Sequence, residues 1–434
     1  MTGAGAGPFP VTLAVIGAGA RGGAYARIAR DLGARIVAVA DPDPGARAAL
    51  GRPAGATEFA SWEALLGGDK LADAVVIATP DRLHLGPALA AAAKGYDILL
   101  EKPMAPTEAE ARQIVEAVEA AGVIMAVCHV LRYTPYTRVV KELVDSGKLG
   151  RLVSVSHLEP VGWWHFAHSY VRGNWRREAE SSSMLLAKSS HDLDWISHIT
   201  GQAVKRIASF GSLMEFRPEN KPVGAADRCV DCAVEAACPF SAPRIYGRFL
   251  GDPVGERWPL GVLARDPSPG AIEAALREGP YGRCVYNGDN DVVDHQVVAL
   301  SLASGATVSF TVAAFTQLDF RKTRLFGARA YAEGDGRRVK IHDFLTNSET
   351  VIDAGLAGGA SAADGHGGAD DALIAAFLRA VTTRDRRQVL SGPRESLDTH
   401  RIVWTAERAR VEGRVVDFVP SAPTPLHLVS RVPG

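Results

Sequence analysis

Cysteine is scarce in this sequence: five residues in a chain of 434. The number is odd and too small to staple a secreted fold, which excludes a disulfide scaffold. Charge of one sign is also missing. Lysine and arginine number 48 against 49 aspartates and glutamates, a formal charge of −1. With no basic run either, neither a nucleic-acid backbone nor an anionic membrane is a natural partner. No stretch of about eighteen apolar residues is present to span a bilayer. The first ten residues lack both the charged and the apolar region of a signal peptide. A cytoplasmic protein is the expectation.

What is present is ordinary for a globular chain, 47% hydrophobic and 22% charged. The length predicts two domains, 1–130 and 131–434. In the first, apolar strand patterns at 11–16, 36–40, 74–78, 98–100 and 123–127 alternate with helical patterns at 22–32, 85–94 and 107–121. That βαβ spacing predicts an α/β fold with a parallel, doubly wound sheet. After residue 130 the texture changes. Strand patterns at 152–157, 204–210, 292–302, 307–315 and 322–326 predict a mostly antiparallel sheet. Helices are expected at 139–146, 184–199, 370–382 and 396–412, with a small-residue linker at 355–368. Residues 218–288, rich in proline and holding clustered cysteines, read as an irregular insertion.

The first chemical signal is Gly17-Ala18-Gly19-Ala20-Arg21-Gly22, a G-x-G-x-x-G between a strand and a helix. Glycine permits the tight turn and close backbone approach, and the helix N-terminus offers free N–H groups to a pyrophosphate. Asp41, nineteen residues after Gly22 at the end of the second strand, can accept from ribose hydroxyls and would repel a 2′-phosphate, favouring NAD over NADP. Arg21 and Arg47 leave some room for NADP.

Three stretches carry a family resemblance. Ala78-Thr79-Pro80 is followed by His84, then by Gly95 leading to Leu100-Glu101-Lys102-Pro103. Residues 129–150 contain Arg132-Tyr133-Thr134-Pro135, and His191-Asp192-Leu193-Asp194 forms an H-x-x-D. Together they resemble the Gfo/Idh/MocA family of glucose–fructose oxidoreductases, inositol dehydrogenases and rhizopine-catabolism proteins. The resemblance implies a Rossmann domain followed by an α/β domain whose open sheet packs a homodimer or homotetramer. It also implies an active site between the domains, where a nicotinamide meets a carbohydrate or cyclitol. Thr79, Pro80, His84, Glu101 and Lys102 would then join Gly17, Gly19, Ala20, Arg21, Gly22 and Asp41 in holding the cofactor.

Removing hydride from a carbinol needs a group to take the hydroxyl proton. Lys102 follows a strand at the edge where open α/β sheets bind ligands, and desolvation can bring a lysine toward working pH. His191, Asp194 and Trp195 stand at i, i+3 and i+4, so one helix face presents them, with Asp194 placed to orient the imidazole. Lys102, His191 and Asp194 are the expected catalytic residues. One departure from the family matters: many of its dehydrogenases carry an aspartate four residues before the histidine, where this chain has Ala187.

Residues 162–176 hold many aromatic and polar rings, among them Trp163, Trp164, His165 and Trp175, whose flat faces suit sugar C–H surfaces. Arg132, Tyr133, Lys188, Asp291 and His295 complete the expected substrate contacts. Cys229, Cys232, Cys238 and Cys284 can supply four thiolates to a structural Zn²⁺, with buried free thiols the simpler alternative. Three functions stay open: an NAD-dependent dehydrogenase of a sugar or cyclitol, an NAD-dependent glycoside hydrolase using transient oxidation, and a non-catalytic sugar or NAD sensor.

Overall fold

The computed structural model describes residues 9–355 and 368–419. The N-terminal unit runs β1 (Thr12–Ile16), α1 (Ala20–Asp31), β2 (Arg35–Ala40), α2 (Pro44–Gly51), β3 (Thr57–Phe59), α3 (Trp62–Gly67) and β4 (Ala74–Ile77). It continues through α4 (Leu85–Ala93), β5 (Asp97–Leu100), α5 (Glu108–Ala121) and β6 (Met125–Val127). The strands form one sheet in the order β3-β2-β1-β4-β5-β6, with every pairing parallel. Helices on both faces bury every residue of β4 and β5, so β4 and the Ile98–Leu100 part of β5 read as apolar runs rather than alternating ones. Strand order reverses between β1 and β4, which opens a crevice at their C-terminal ends. Thr107 accepts from Glu110 N at 3.3 Å and caps α5, as its sequence suggests.

The second unit begins with α6 (Pro135–Asp145), β7 (Leu152–Pro160), a turn α7 (Trp163–Phe166), α8 (Met184–Thr200) and β8 (Val204–Ser212). Next come α9 (Ala242–Gly247), α10 (Pro253–Gly255), α11 (Gly261–Leu263) and α12 (Pro269–Glu278). Six strands follow: β9 (His295–Leu302), β10 (Thr307–Ala313), β11 (Lys322–Gly327), β12 (Ala330–Gly334), β13 (Arg338–Asp343) and β14 (Ser348–Asp353). The chain then returns through α13 (Ala369–Thr383), α14 (Pro393–Glu412) and β15 (Val416–Asp417). The nine-stranded sheet is ordered β14-β13-β12-β11-β7-β10-β9-β8-β15, and only β7 and β10 pair in parallel. One face is covered by α8 and α14 over Val298, Leu300, Phe310 and Val312. The other is open and exposes Phe210, Val297 and Phe326.

Two features differ from the sequence expectation. Strands β12 to β14 do not show as strands in the sequence, because β14 is almost wholly exposed and has no buried face to impose alternation. The insertion is not irregular throughout: Ala242, Ile245, Tyr246, Leu260, Ile272 and Leu276 give it a small core. The linker expected at 355–368 lies almost wholly outside the described residues. Among the described residues, no helix is long and apolar enough to cross a membrane.

Candidate active site

The glycine loop joins β1 to α1 at the crevice. Gly17 has φ +92°, and a Cβ there would lie 2.6 Å from Ala78 O; a Cβ on Gly22 would lie 1.9 Å from Gly17 O. Only glycine lets this turn close. Gly19 is different, with no atom within 4 Å of its would-be Cβ. Its space lies open in front of the unpaired N–H groups of α1, which begins at Ala20. Thr79 Oγ1, in the loop after β4, is buried without a hydrogen-bond partner. Asp41 accepts from Ala18 N at 2.7 Å and from Asp43 N at 2.8 Å, which fixes its carboxylate at the end of β2. Arg47 is tied to the carbonyls of Asp41 and Pro42. These features fit a dinucleotide whose pyrophosphate sits on α1 and whose adenosine ribose faces an acid.

Arg21 and Glu101 have other work. Arg21 Nε donates to Glu101 Oε1 at 2.8 Å, and its Nη atoms reach Asp370 at 2.9 and 3.0 Å. Tyr25 OH also donates to Glu101, at 2.8 Å. Burial works against the Glu101 anion, but Arg21 and Lys102 outweigh it and hold the carboxyl below its ordinary range. The group fastens α1, β5 and α13 together. His84 lies 2.9 Å from both Thr79 O and Pro103 O, and so joins the loops after β4 and β5.

Lys102 crosses between the two units: its Nζ donates to Ala187 O at 2.6 Å. The backbone carbonyl of Ala187 thus holds the ammonium against α8. Burial lowers the Lys102 pKa; Glu101 and Asp81 oppose that, while the cation of Lys188 adds to it. Asp81 is pushed up, chiefly by burial, against the pull of His84 and Lys102. Lys188 Nζ lies 3.1 Å from Glu159, which Arg321 also pairs with, and Arg321 Nε is 2.9 Å from Asp192. His165 is held neutral, first by burial and then by the nearby cation of Lys188. His191 is buried on α8, its ring edge-on to His129 with centroids 5.9 Å apart.

Several expected residues are committed elsewhere. Asp194 takes a bidentate contact from Arg132, at 2.7 Å on both oxygens, and a third from Thr399 at 3.1 Å. The pair anchors α8 to the loop before α6 and to α14, so neither Asp194 as orienting acid nor Arg132 as substrate ligand matches this geometry. Tyr133 OH accepts from Leu390 N at 2.8 Å. Asp291 accepts from Glu178 N at 2.8 Å. His295 sits 2.8 Å from Asp294 and shares strand parity with exposed Val297, so it lies on the open face, opposite Gln296 and Val312. Trp163 and Trp164 pack against Phe240, Arg248, Phe249 and Trp258 of the insertion, and Trp175, a 37% exposed residue, tilts on Tyr170.

The four clustered cysteines are free thiols. Among the described residues, no group of three or more His, Cys, Asp or Glu side chains can hold a metal ion, so the geometry does not support the expected single zinc. Sequence reasoning also missed Asp81, Glu159, Arg321, His129 and His400. Asp81 had a readable signal, an acid right after Thr79-Pro80 at a strand end. Glu159 and Arg321 had none, since only tertiary pairing joins them to α8.

Comparison with known proteins agrees with this fold. A family model described as an oxidoreductase family with an NAD-binding Rossmann fold matches residues 11–129, and a GFO/IDH/MocA C-terminal domain matches residues 137–237. An inositol 2-dehydrogenase of Streptomyces avermitilis is 34% identical over 221 residues, 50% of this chain and 60% of that protein. A 2,7-anhydro-N-acetylneuraminate hydratase of Escherichia coli is 28% identical over 202 residues, 46% of this chain and 52% of that protein. The aligned part thus spans little more than half of either relative. A levoglucosan dehydrogenase solved with NADH and L-sorbose has the same fold, with a TM-score of 0.67 at 16% identity, covering 94% of this chain and 98% of that one. The chain belongs to the Gfo/Idh/MocA oxidoreductase family, and its first domain is that family's NAD-binding Rossmann domain.

Proposed function

We propose that this oxidoreductase acts on a hydroxyl-bearing carbon of a sugar, cyclitol or sugar derivative, with Lys102 handling the hydroxyl proton. The carrying observation is the Lys102 ammonium, bound to Ala187 O across the cleft and lowered in pKa by burial. When bound, the nicotinamide supplies a hydride acceptor or donor. The neutral Lys102 amine takes the hydroxyl proton as the carbinol is oxidised, and the ammonium returns it in reverse. Ala187 O fixes where that amine points. Lys188, held by Glu159, is near enough to Lys102 to lower its pKa, and the neutral ring of His165 is near Lys188; both suit substrate hydroxyls. His191 is proposed to join them from α8, where its ring meets His129. Asp41 and the tethered Arg47 support NAD rather than NADP. The exposed Phe210 and Val297 on the open sheet face support assembly into a homodimer or homotetramer.

A second reading has a specific observation behind it. Ala187 stands where many of the family's dehydrogenases carry an aspartate, and two relatives are named as hydratases. In a redox-neutral route, the substrate is oxidised transiently, loses a substituent, adds water and is reduced again. Net NADH formation on a panel of cyclitols, free sugars and anhydro or glycosidic sugars separates the two. Dehydrogenation accumulates NADH with a keto product; the redox-neutral route releases product with catalytic NAD and no net NADH. If NAD-loaded protein transforms no member of the panel, both readings fail.

A further inference from the structure

Residues 258–265 of the insertion link two distant places in the molecule. At one end, the Trp258 ring stands edge-on to His165, with centroids 4.8 Å apart, and 5.4 Å from Trp164. His165 in turn feels the cation of Lys188. At the other end, Arg265 Nη2 donates to Asp43 Oδ2 at 2.8 Å. Asp43 stands two residues beyond Asp41, and its N–H donates to Asp41 Oδ1 at 2.8 Å. Arg265 Nη1 lies against the first turn of α2, 2.0 Å from where a Cβ on Gly45 would stand. The segment between is fixed: Leu260 is fully buried, Leu263 and Ala264 pack on the insertion's own core, and Ala264 N donates to Leu260 O at 3.0 Å. The insertion therefore reaches from the substrate side to the end of β2.

Stability does not account for the Arg265–Asp43 pair. The two side chains are 67% and 51% exposed, and an ion pair in that setting contributes only about 0–1 kcal/mol. Asp43 already caps α2 through Gly45 N at 2.8 Å, so it needs no cation to hold its place. Among the described residues, Asp43 is the one group that Arg265 bonds, which leaves most of the guanidinium's donors unused. A planar guanidinium stacks on aromatic faces and complements anionic oxygens. A dinucleotide offers both, an adenine ring and a pyrophosphate.

We infer that Arg265 is a cofactor-binding residue supplied by the insertion, and that its guanidinium, oriented by Asp43, covers the adenosine end of bound NAD. This assignment rests on Asp41 as the ligand of the adenosine ribose. The Rossmann unit then supplies the acid for the ribose and the glycine loop for the pyrophosphate, while the second unit supplies the cation beside the adenosine. One short segment thus serves both ligands, with Trp258 beside the residues proposed for substrate and Arg265 beside those proposed for cofactor.

The test is nucleotide binding to the full chain freed of bound cofactor, by calorimetry and stopped-flow fluorescence. Wild type is compared with Arg265→Ala and with Arg277→Ala, a control for charge lost from the insertion, since Arg277 pairs with Glu273 and Asp231 there. In Arg265→Ala, NAD should dissociate about five- to tenfold faster and bind weaker by the same factor. ADP-ribose, which shares the adenosine half, should weaken equally. Arg277→Ala should match wild type, and the exposed position of Arg265 should leave the melting temperature unchanged. NAD affinity of Arg265→Ala within about twofold of wild type overturns the inference. So does a loss for NAD that spares ADP-ribose, which places the effect at the nicotinamide end, or a loss confined to NADP, which makes Arg265 a 2′-phosphate ligand. Asp41→Ala separates the two levels. If it too leaves NAD affinity unchanged, the reading of Asp41 falls and takes Arg265 with it; if only the Arg265 variant is unaffected, the inference falls alone.

Discussion

At the scale of single residues, Gly19 separates nucleotide binding from folding. A methyl there meets no atom of the protein, and its extended backbone suits any residue. Gly19→Ala should therefore change stability by no more than about 0.5 kcal/mol while weakening NAD binding about tenfold or more. Calorimetric titration beside thermal melting checks this; a large loss of melting temperature with intact NAD affinity would give Gly19 a folding role instead. Lys102 offers a test with opposite signs. As a base it works when neutral, so activity should rise with pH through its pKa, a limb that burial places below the ordinary lysine range. Asp81 favours the ammonium, so Asp81→Asn should move the limb to lower pH. Lys188 disfavours it, so Lys188→Met should move the limb to higher pH. Profiles of kcat/KM against pH for the two variants decide the matter, and shifts in one common direction would contradict the assignment.

At the scale of elements, α8 does two jobs. Lys188 pairs with Glu159 and His191 lies edge-on to His129, while Asp194 takes Arg132 and Thr399 and pins the helix in place. Asp194→Ala strands a buried guanidinium, and we expect it to cost about 3–5 kcal/mol in denaturant unfolding. A variant of unchanged stability but lost turnover would restore Asp194 to the chemistry. This division shows how far the sequence could be read. Strands β1, β4 and β5 were legible because burial on both faces forces apolar runs between glycine turns. The i, i+3, i+4 spacing places His191, Asp194 and Trp195 on one face of α8, but spacing does not tell which neighbour a carboxylate meets. Arg132 and Thr399 come from distant chain segments. Likewise β12 to β14 were hidden because exposure, not burial, governs β14.

At the scale of the whole molecule, the C-terminal helices close the assembly. In the Rossmann unit, α13 packs Leu373, Ile374 and Phe377 into the core beside Tyr25. α14 lies on α8 and α5, and its His400 Nε2 accepts from Met104 N at 3.0 Å. The loop after β5 is thus held from both units, and that sets where Lys102 meets α8. The central claim is that this amine moves the proton next to a bound nicotinamide. The most direct measurement compares turnover and NAD affinity of Lys102→Met with the wild type, on a substrate found in the panel above. The account predicts turnover down by about 10²–10⁴-fold with NAD affinity and melting temperature close to wild type. Turnover within a few-fold of wild type in a variant that still binds NAD would contradict it.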